Sequence, residues 1–443
     1  MKKADIPKDL AEKMRGISHY RLLFTDVLGH LKEMKITDDE IIEILEEGQG
    51  FDGSSIQGFA RLEESDLMAH PRLGSFRILP ENLTPNSQPV GIFFCDIRTP
   101  KGRPFSGCPR QRLKKIRNQA KKLGYTFNVG PELEFFIFPD KYTPQPLDQR
   151  GYFDSTAEGP GSAIVEDIVD TLKKIGIHVE CSHHEVAPSQ FEIDVKYQEV
   201  LTAADQVMLI RWVAKQIAQQ HGKYITFMPK PIKGENGSGM HTHMSLFQGD
   251  QNAFHSATDP FKLSPLARHF CAGVLNHVQE FTSVTNSNVN SYKRLVEGYE
   301  APVYISWGRR NRSSLIRVPQ YRVGKDKATR IELRSPDPCC NPYLAFTVML
   351  AAGLDGIDKK MPLNDPIEDN IFEMSAAKKN RLGIKHLPGS LEVAMYLSRK
   401  SDFLKKALGR HIWHNLLNNL NQQWENQRTH VTEMEIDELM PIL

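Results

Sequence analysis

The chain has 443 residues, of which 25% are charged and 40% belong to the apolar set, and its formal net charge is +2. So balanced a charge excludes a global field that would draw in nucleic acid or an anionic membrane, and the short basic runs read as solvated helix faces. The length exceeds what one compact core serves and predicts two domains. The six cysteines, Cys95, Cys108, Cys181, Cys271, Cys339 and Cys340, show no CxxC spacing. The vicinal pair is poorly placed for an unstrained bridge, so a reducing compartment, the cytoplasm, is expected. The opening MKKADIPKDLAEKMRG starts with two lysines after Met1 but has no apolar run behind them, so no signal peptide is expected. No stretch of ~18 apolar residues offers a membrane span.

In chain order, Tyr20–Thr25 and Leu31–Ile36 read as two short strands around a turn at Val27-Leu28-Gly29. Thr37 with Glu40 three residues on is a capping-box signature for a helix through Ile41, Ile44 and Leu45 that Gly48 stops. The polar segment FDGSSIQGFARLEESD (Phe51–Asp66) is too long for a simple connector, and loops of that length are often functional. Pro89–Ile97 reads as a buried strand. The Gly-, Pro- and Arg-rich stretch Arg98–Arg110 predicts the boundary, with domains at 1–104 and 105–443. Beyond it come a basic helix Gln111–Leu123 and a strand Tyr125–Phe138. A helix Ile164–Ile175, a strand Ile177–Cys181 and a helix Ala203–Gln220 follow. The stretch from Leu391 onward is helical, with Trp413, Leu416, Leu417 and Leu420 on one core face. Strands and helices are mixed without the regular alternation of a doubly wound sheet, which predicts an α+β class.

Carboxylates fall where strands are expected. In GPELEFFIF (Gly130–Phe138), Glu132 and Glu134 lie two apart and share a face. At ~6.6 Å and an effective dielectric of ~20 their charges repel by ~2.5 kcal/mol, which suits a wet surface or a bound cation. The neighbouring Phe135, Phe136 and Phe138 suggest a sheet covered on one side. In HHEVAPSQFEID (His183–Asp194), Glu185 and Glu192 have odd spacing, but the Pro188-Ser189 turn between them allows two strands that bring both to one face. TRIELRS places Arg330, Glu332 and Arg334 together, and the Gly-rich turn of NGSGMHTHMS leads to His241, His243 and Ser245 in alternation.

Five glutamates and a histidine on strand faces suit a hard divalent cation such as Mg²⁺ or Mn²⁺. A zinc site at Cys181, His183 and His184 matches no structural zinc spacing, and those histidines read as packing residues. Arg294, Arg312 and Arg317 follow the carboxylates, and guanidinium forks suit phosphate and carboxylate. Each alone is most simply a surface ion pair; metals and arginines together suggest a transferring phosphoryl group. GxxxxGK[ST] is absent, and NGSGMHT departs from GxGxxG at its last glycine, so a nucleotide would be held by another fold.

The blocks FDGSSI, PELEFF, HHEVAPSQFEI, NGSGMH, NSYKRLVEGYEAP, NRSSLIRVP and RIELRSPDPCCNPYL, in this order, resemble those of class I glutamine synthetase from about residue 17 onward. The resemblance implies an N-terminal β-grasp domain and a catalytic domain with a curved antiparallel sheet flanked by helices. It also implies a dodecamer of two stacked hexameric rings with active sites between ring neighbours. It assigns Glu134, Glu185 and Glu192 to one metal ion and Glu132, His241 and Glu332 to a second. Asn236, Gly237, Arg294 and Arg334 would hold the amino-acid substrate. Glu180, His243, Ser245, Arg317 and Lys327 would bind ATP, with Arg312 and Arg330 near its phosphates. Asp52 would reach into the neighbour's site to deprotonate ammonium, and Glu300 would ride on a flap above it.

The implied chemistry is ligation of ammonia to the γ-carboxylate of glutamate, giving glutamine, ADP and phosphate. A carboxylate oxygen does not leave at neutral pH, so phosphoryl transfer from ATP first makes a mixed anhydride whose phosphate can. An acidic pocket must then bind NH₄⁺ and release NH₃, while the flap excludes water. Several positions depart from the usual pattern: Glu297 stands where Pro is common, Ser189 where Gly is common, and Gln320–Ala328 is slightly long. Phe372 replaces the tyrosine of enzymes regulated by adenylylation, so that switch should be absent. Arg61 resembles an arginine tied to feedback by glutamine, or is a plain surface residue, and a nitrogen-regulatory protein is an expected partner. Two rival readings are a glutamate ligase for a larger amine and an inactive regulatory relative. Retention of Asp52 and Glu300 speaks against the first, and a complete ligand set speaks against the second.

Overall fold

The computed structural model describes residues 6–56, 65–84, 88–155, 159–311, 313–322 and 324–443. Its first strands are β1 His19–Thr25, β2 Leu31–Thr37, β3 Gln49–Asp52, β4 Asp66–Pro71, β5 Arg77–Leu79 and β6 Val90–Arg98. They form one sheet in the order β2-β1-β6-β4-β3, with β5 beside β6 and β1 parallel to β6. The helix Asp38–Glu47 buries Ile41, Ile44 and Leu45, giving the β-grasp arrangement of a mixed sheet around one helix.

The β1–β2 hairpin matches the expected strands to within a residue at each end. At its turn Gly29 takes φ +89°, and the Asp26 carboxylate accepts from the His30 amide at 2.9 Å. Gly48 ends the following helix at φ +87°, but the capping box does not form, because the Thr37 side chain caps nothing. Thr37 is still the last paired residue of β2, and the Asp38 amide is taken by the Ser18 carbonyl at 3.2 Å. The helix start is thus satisfied by the sheet rather than by a side chain.

The second sheet contains β7 Thr126–Phe138, β8 Val179–His184, β9 Gln190–Val195, β10 Gln198–Glu199, β11 Tyr224–Thr226 and β12 Thr242–Gln248. It continues through β13 Gln251–Asn252, β14 Tyr304–Gly308, β15 Ser314–Arg317, β16 Ile331–Leu333 and β17 Lys385–His386. Its order is β17-β14-β15-β16-β12-β7-β9-β8, antiparallel except between β14 and β15. The helix Val200–Gln220 packs against β7. Behind it, the helices Pro265–Thr285 and Pro342–Asp358 meet so closely that a Cβ on Gly273 would lie 2.2 Å from the Ala352 carbonyl. A Cβ on Gly356 would lie 2.2 Å from the His269 carbonyl, so neither glycine could carry a side chain without parting the helices.

The aromatic flank of β7 is covered on both sides, not one. Phe135 enters the main core beside Phe191 and Phe227, while Phe136 and Phe138 stack on the opposite face with Ala187. The acidic face of β7 is therefore confined to Glu132 and Glu134.

Two polar links tie the sheets together. Asn341 caps the helix Pro342–Asp358 by accepting from the amides of Tyr343 and Leu344, and its Nδ2 donates to the Asp26 carbonyl at 2.9 Å. Arg110 is buried between Asp96 of β6 and Asp205, donating to Asp205 through Nε and Nη2 at 2.9 Å each and to Asp96 at 2.5 Å. Tyr343, Lys114 and Arg72 complete this network, the last 3.5 Å from Asp96. In the C-terminal helix Arg410–Arg428, Leu416, Leu417 and Leu420 are buried as expected and Trp413 is half-buried. All six cysteines are free, the vicinal pair included. Among the described residues no helix is long and apolar enough to cross a membrane.

Candidate active site

The register of the second sheet sets the site. Arg317 of β15 stands opposite Glu332 of β16, and Glu332 stands opposite His243 of β12, in one row across the strands. A second row joins Glu134 of β7, Glu192 of β9 and His183 of β8; Glu132 faces Asp194 beside it. Because side chains alternate along a strand, these rows put their acids and imidazoles on one face. The face floors a cleft of about 260 Å³ whose lining includes Glu132, Glu134, Glu185, Glu192, Glu332 and His241, with Asn236, Gly237, Arg294, Arg317 and Arg334 on its walls and Glu300 at its rim.

At one end, His241 Nδ1 lies 3.1 Å from Glu132 and 3.6 Å from Glu332, and its Nε2 lies 3.9 Å from Glu134. His243 Nε2 meets the other Glu132 oxygen at 2.5 Å, while Arg330 Nε donates to His243 Nδ1 at 3.1 Å. Arg317 and Arg334 approach the two oxygens of Glu332 at 2.6 and 3.3 Å. Burial works against the charge on Glu132, but His243 and His241 outweigh it and hold that carboxyl well below its ordinary range. Glu332 is likewise lowered against burial, chiefly by His243, with His241 and Arg317 adding to it.

The other end has the opposite electrostatics. Burial, then the charge of Glu134, pushes Glu185 up to about 8. The same two causes push Glu192 well above its usual range, and burial raises Asp194. Buried carboxyls crowded together and raised in this way lack a balancing positive charge. His183, Glu185 and Glu192 bring ligand atoms within 4.8 Å of one another, and so do Glu132, His243 and Glu332. Oxygen-rich sets with one imidazole each fit hard divalent cations.

The Gly-rich turn is shaped by what presses on it. A Cβ on Gly237 would lie 2.3 Å from the Pro229 carbonyl, and one on Gly239 would lie 2.5 Å from Arg294 Nη2. The Gly239 amide donates to Glu134 at 2.9 Å. Arg294, buried, spends its guanidinium on the carbonyls of Ser335, Pro336 and Arg334, which locks the turn between two strands. Asn236 Nδ2 donates to Glu300 at 3.4 Å, where Glu300 takes φ +55°.

The remaining expected residues fall outside the cleft. Ser245 is buried two residues beyond His243 on β12, Glu180 is exposed on β8, and Lys327 sits in the short turn Asp326–Ala328, whose carbonyl Asn252 holds at 2.9 Å. Asp52 ends β3 away from the cleft, its carboxyl lowered by the Ser54 hydroxyl and amide at 2.6 and 2.8 Å. Arg312 and Arg61 lie outside the described residues.

The structure adds residues that the sequence reading passed over. His183 and His184 were expected to pack alike, but neighbours on a strand face opposite ways. His184 turns inward to Asp148 at 3.1 Å, and His183 enters the cleft 3.5 Å from Glu185. Asp194 and Gln190 share the Glu192 face of β9, and Gln190 donates to Glu134 at 3.0 Å. Their period-two spacing from Glu192 was visible in the sequence.

A β-grasp domain joined to a curled sheet with a carboxylate- and arginine-lined cleft defines a metal-using, ATP-dependent ligase. Residues 16–100 match the glutamine synthetase β-grasp domain and residues 106–439 the glutamine synthetase catalytic domain, and the chain belongs to the glutamine synthetase family. It is 48% identical to glutamine synthetase of Thermotoga maritima over 95% of this chain and 96% of that one. It is 45% identical to glutamine synthetase of Methanosarcina mazei over 100% and 99%. The solved GmaS/ADP complex superposes with a TM-score of 0.88 at 29% identity, covering 98% of this chain and all of that one. The chain is therefore an enzyme that makes glutamine from glutamate and ammonia with ATP.

Proposed function

We propose the following division of labour. Glu134, Glu185 and Glu192, with His183 beside them, hold one Mg²⁺ or Mn²⁺; Glu132, His241 and Glu332 hold a second, with His243 shared between Glu132 and the nucleotide. Bound there, the ions would screen phosphate charge and orient the glutamate carboxylate. Asn236, Gly237, Arg294 and Arg334 bind glutamate. Glu180, His243, Ser245, Arg317, Lys327 and Arg330 bind ATP, with Arg312 at its phosphates; an ADP complex of a relative superposing this well supports nucleotide binding by this fold.

The γ-carboxylate oxygen attacks the γ-phosphorus, the bond to ADP breaks, and ADP leaves. Ammonia then attacks the acyl carbon, and phosphate leaves with the carbon–oxygen pair. Arg317, Arg330 and Arg312 offset charge as the phosphoryl group moves. Asp52 of a neighbouring copy and Glu300 attract NH₄⁺ and accept its proton.

The domains divide at residues 104 and 105. Assembly is a cytoplasmic dodecamer of two hexameric rings, with a nitrogen-regulatory protein as a further partner. The observation that carries this reading is the paired rows of acids and imidazoles on one sheet face. Phosphate release and glutamine formation with ATP, glutamate and Mg²⁺ or Mn²⁺ test it, comparing ammonium with methylamine, ethanolamine and putrescine. Ammonium should stimulate most, and Asp52→Ala should abolish glutamine formation; stimulation by an organic amine alone would overturn the ammonia assignment.

A further inference from the structure

The flap between the helix Ser291–Arg294 and β14 is anchored at both ends. Arg294 is buried among backbone carbonyls, and Tyr304 is buried as the first residue of β14, paired with Ser314 on one side and His386 on the other. Between these anchors the backbone turns left-handed twice, at Gly298 (φ +91°) and at Glu300 (φ +55°). Glycine adopts such a backbone freely, whereas the β-carbon of Glu300 resists it, so that residue stays only if its surroundings hold it there.

Among the described residues, three contacts help to do so. Asn236 meets the Glu300 carboxylate, and the Lys230 ammonium sits 3.6 Å from the Tyr299 ring centroid. The third lies on the outer side of the flap. The Tyr304 hydroxyl donates to the Glu297 carboxylate and accepts from the Lys379 ammonium. The same ammonium lies 4.3 Å from the Tyr304 ring centroid, and Phe372 packs on that ring at 5.7 Å. Lys379 belongs to the helix Ala376–Arg381, which has no part in the cleft.

We propose that Glu297, Tyr304 and Lys379 form a clasp that sets the position of the flap and thereby how the acyl phosphate divides between ammonia and water. Of the three contacts, the clasp is the one whose members neither line the cleft nor touch substrate, so all three are positioning residues. Tyr304 is fully buried and paired on both sides within the sheet. Glu297 is exposed on the flap, and the hydroxyl ties it to the sheet, while the Lys379 ammonium donates to that same hydroxyl from the other side. Released, the flap would leave Glu300 free to relax its backbone and admit water. Water would then attack the acyl carbon, returning glutamate and phosphate and passing its proton to solvent. ATP would be consumed without glutamine.

This inference rests on the ligase reading above, and the test separates the two. The intact enzyme and the variants Glu297→Ala, Tyr304→Phe and Lys379→Met are assayed for phosphate released per glutamine formed, with and without ammonium. The intact enzyme should release close to one phosphate per glutamine. Each variant should raise that ratio and the ammonium-independent release by ~3-fold or more, and raise KM for ammonium with KM for ATP unchanged. The double exchange Glu297→Lys with Lys379→Glu, which keeps a donor and an acceptor on the hydroxyl, should restore coupling toward that of the intact enzyme. Glu297→Ala lies at an exposed position and removes the acceptor outright, so it decides the matter even if Tyr304→Phe fails to fold. Unchanged ratios and unchanged KM for ammonium in that variant would overturn the clasp. Absence of ammonium-dependent glutamine in the intact enzyme would instead overturn the ligase reading.

Discussion

Binding of Mn²⁺ to the cleft should expel protons, and the number can be worked out from its crowded end. A carboxyl pushed up to about 8, as Glu185 is, would be roughly nine-tenths protonated at pH 7. A metal takes the carboxylate form, so binding releases ~0.9 proton from Glu185. Glu192, raised by burial and by Glu134, can add up to about one more. The sign follows directly: protons compete with metal below pH 8, so apparent affinity climbs with pH, by ~10-fold or more per unit between pH 6 and 7, and flattens as Glu185 ionises. Titration calorimetry of the metal-stripped enzyme in two buffers of different ionisation enthalpy counts the protons directly. Glu185→Gln should lower the count by about one. A count below ~0.3 at pH 7, with affinity flat from pH 6 to 8, would refute the electrostatic account of this end of the cleft.

Two further outcomes concern stability. Arg110→Met should destabilise by about 3–5 kcal/mol in urea unfolding at fixed chain concentration, because Asp96 and Asp205 stay buried after losing their shared guanidinium; a loss under ~1 kcal/mol would mean that Lys114, Arg72 and Tyr343 suffice. His277 is raised because Glu280 at 3.0 Å and Asp355 at 2.8 Å outweigh its burial beside Phe403. A raised histidine stabilises fully below its unfolded value of about 6.5 and loses that contribution as pH rises through its folded value. The stability gap between the intact protein and His277→Gln should therefore be roughly 2 kcal/mol at pH 6 and narrow toward pH 9, and a gap independent of pH would contradict the pairing.

How much of this was legible depended on whether the deciding contact was local. Glu132 and Glu134 share a face by period alone, and Ser189, at φ +60°, makes the turn that returns Glu192 to Glu185. The register that sets Glu332 opposite His243 joins residues about ninety positions apart, and no local pattern specifies it. His183 was misjudged because it was weighed together with His184, although alternation alone sends the two to opposite faces. At Thr37 a local signature was present and was overruled by a strand that continued one residue further. The clasp on Tyr304 joins a flap to a helix some eighty residues away, and nothing near Glu297 announces it.

The single-faced floor of the cleft also governs which accidents of replication the gene could survive. A substitution alters one donor and leaves its neighbours in place. Deletion of one residue in the middle of β7 would instead present Leu133 and Phe135 where Glu132 and Glu134 now stand, and drive two carboxylates into the core beside Phe191 and Phe227. Length changes should thus be confined to the connections at the sheet's margin, and the interior strands should vary in spelling but never in count.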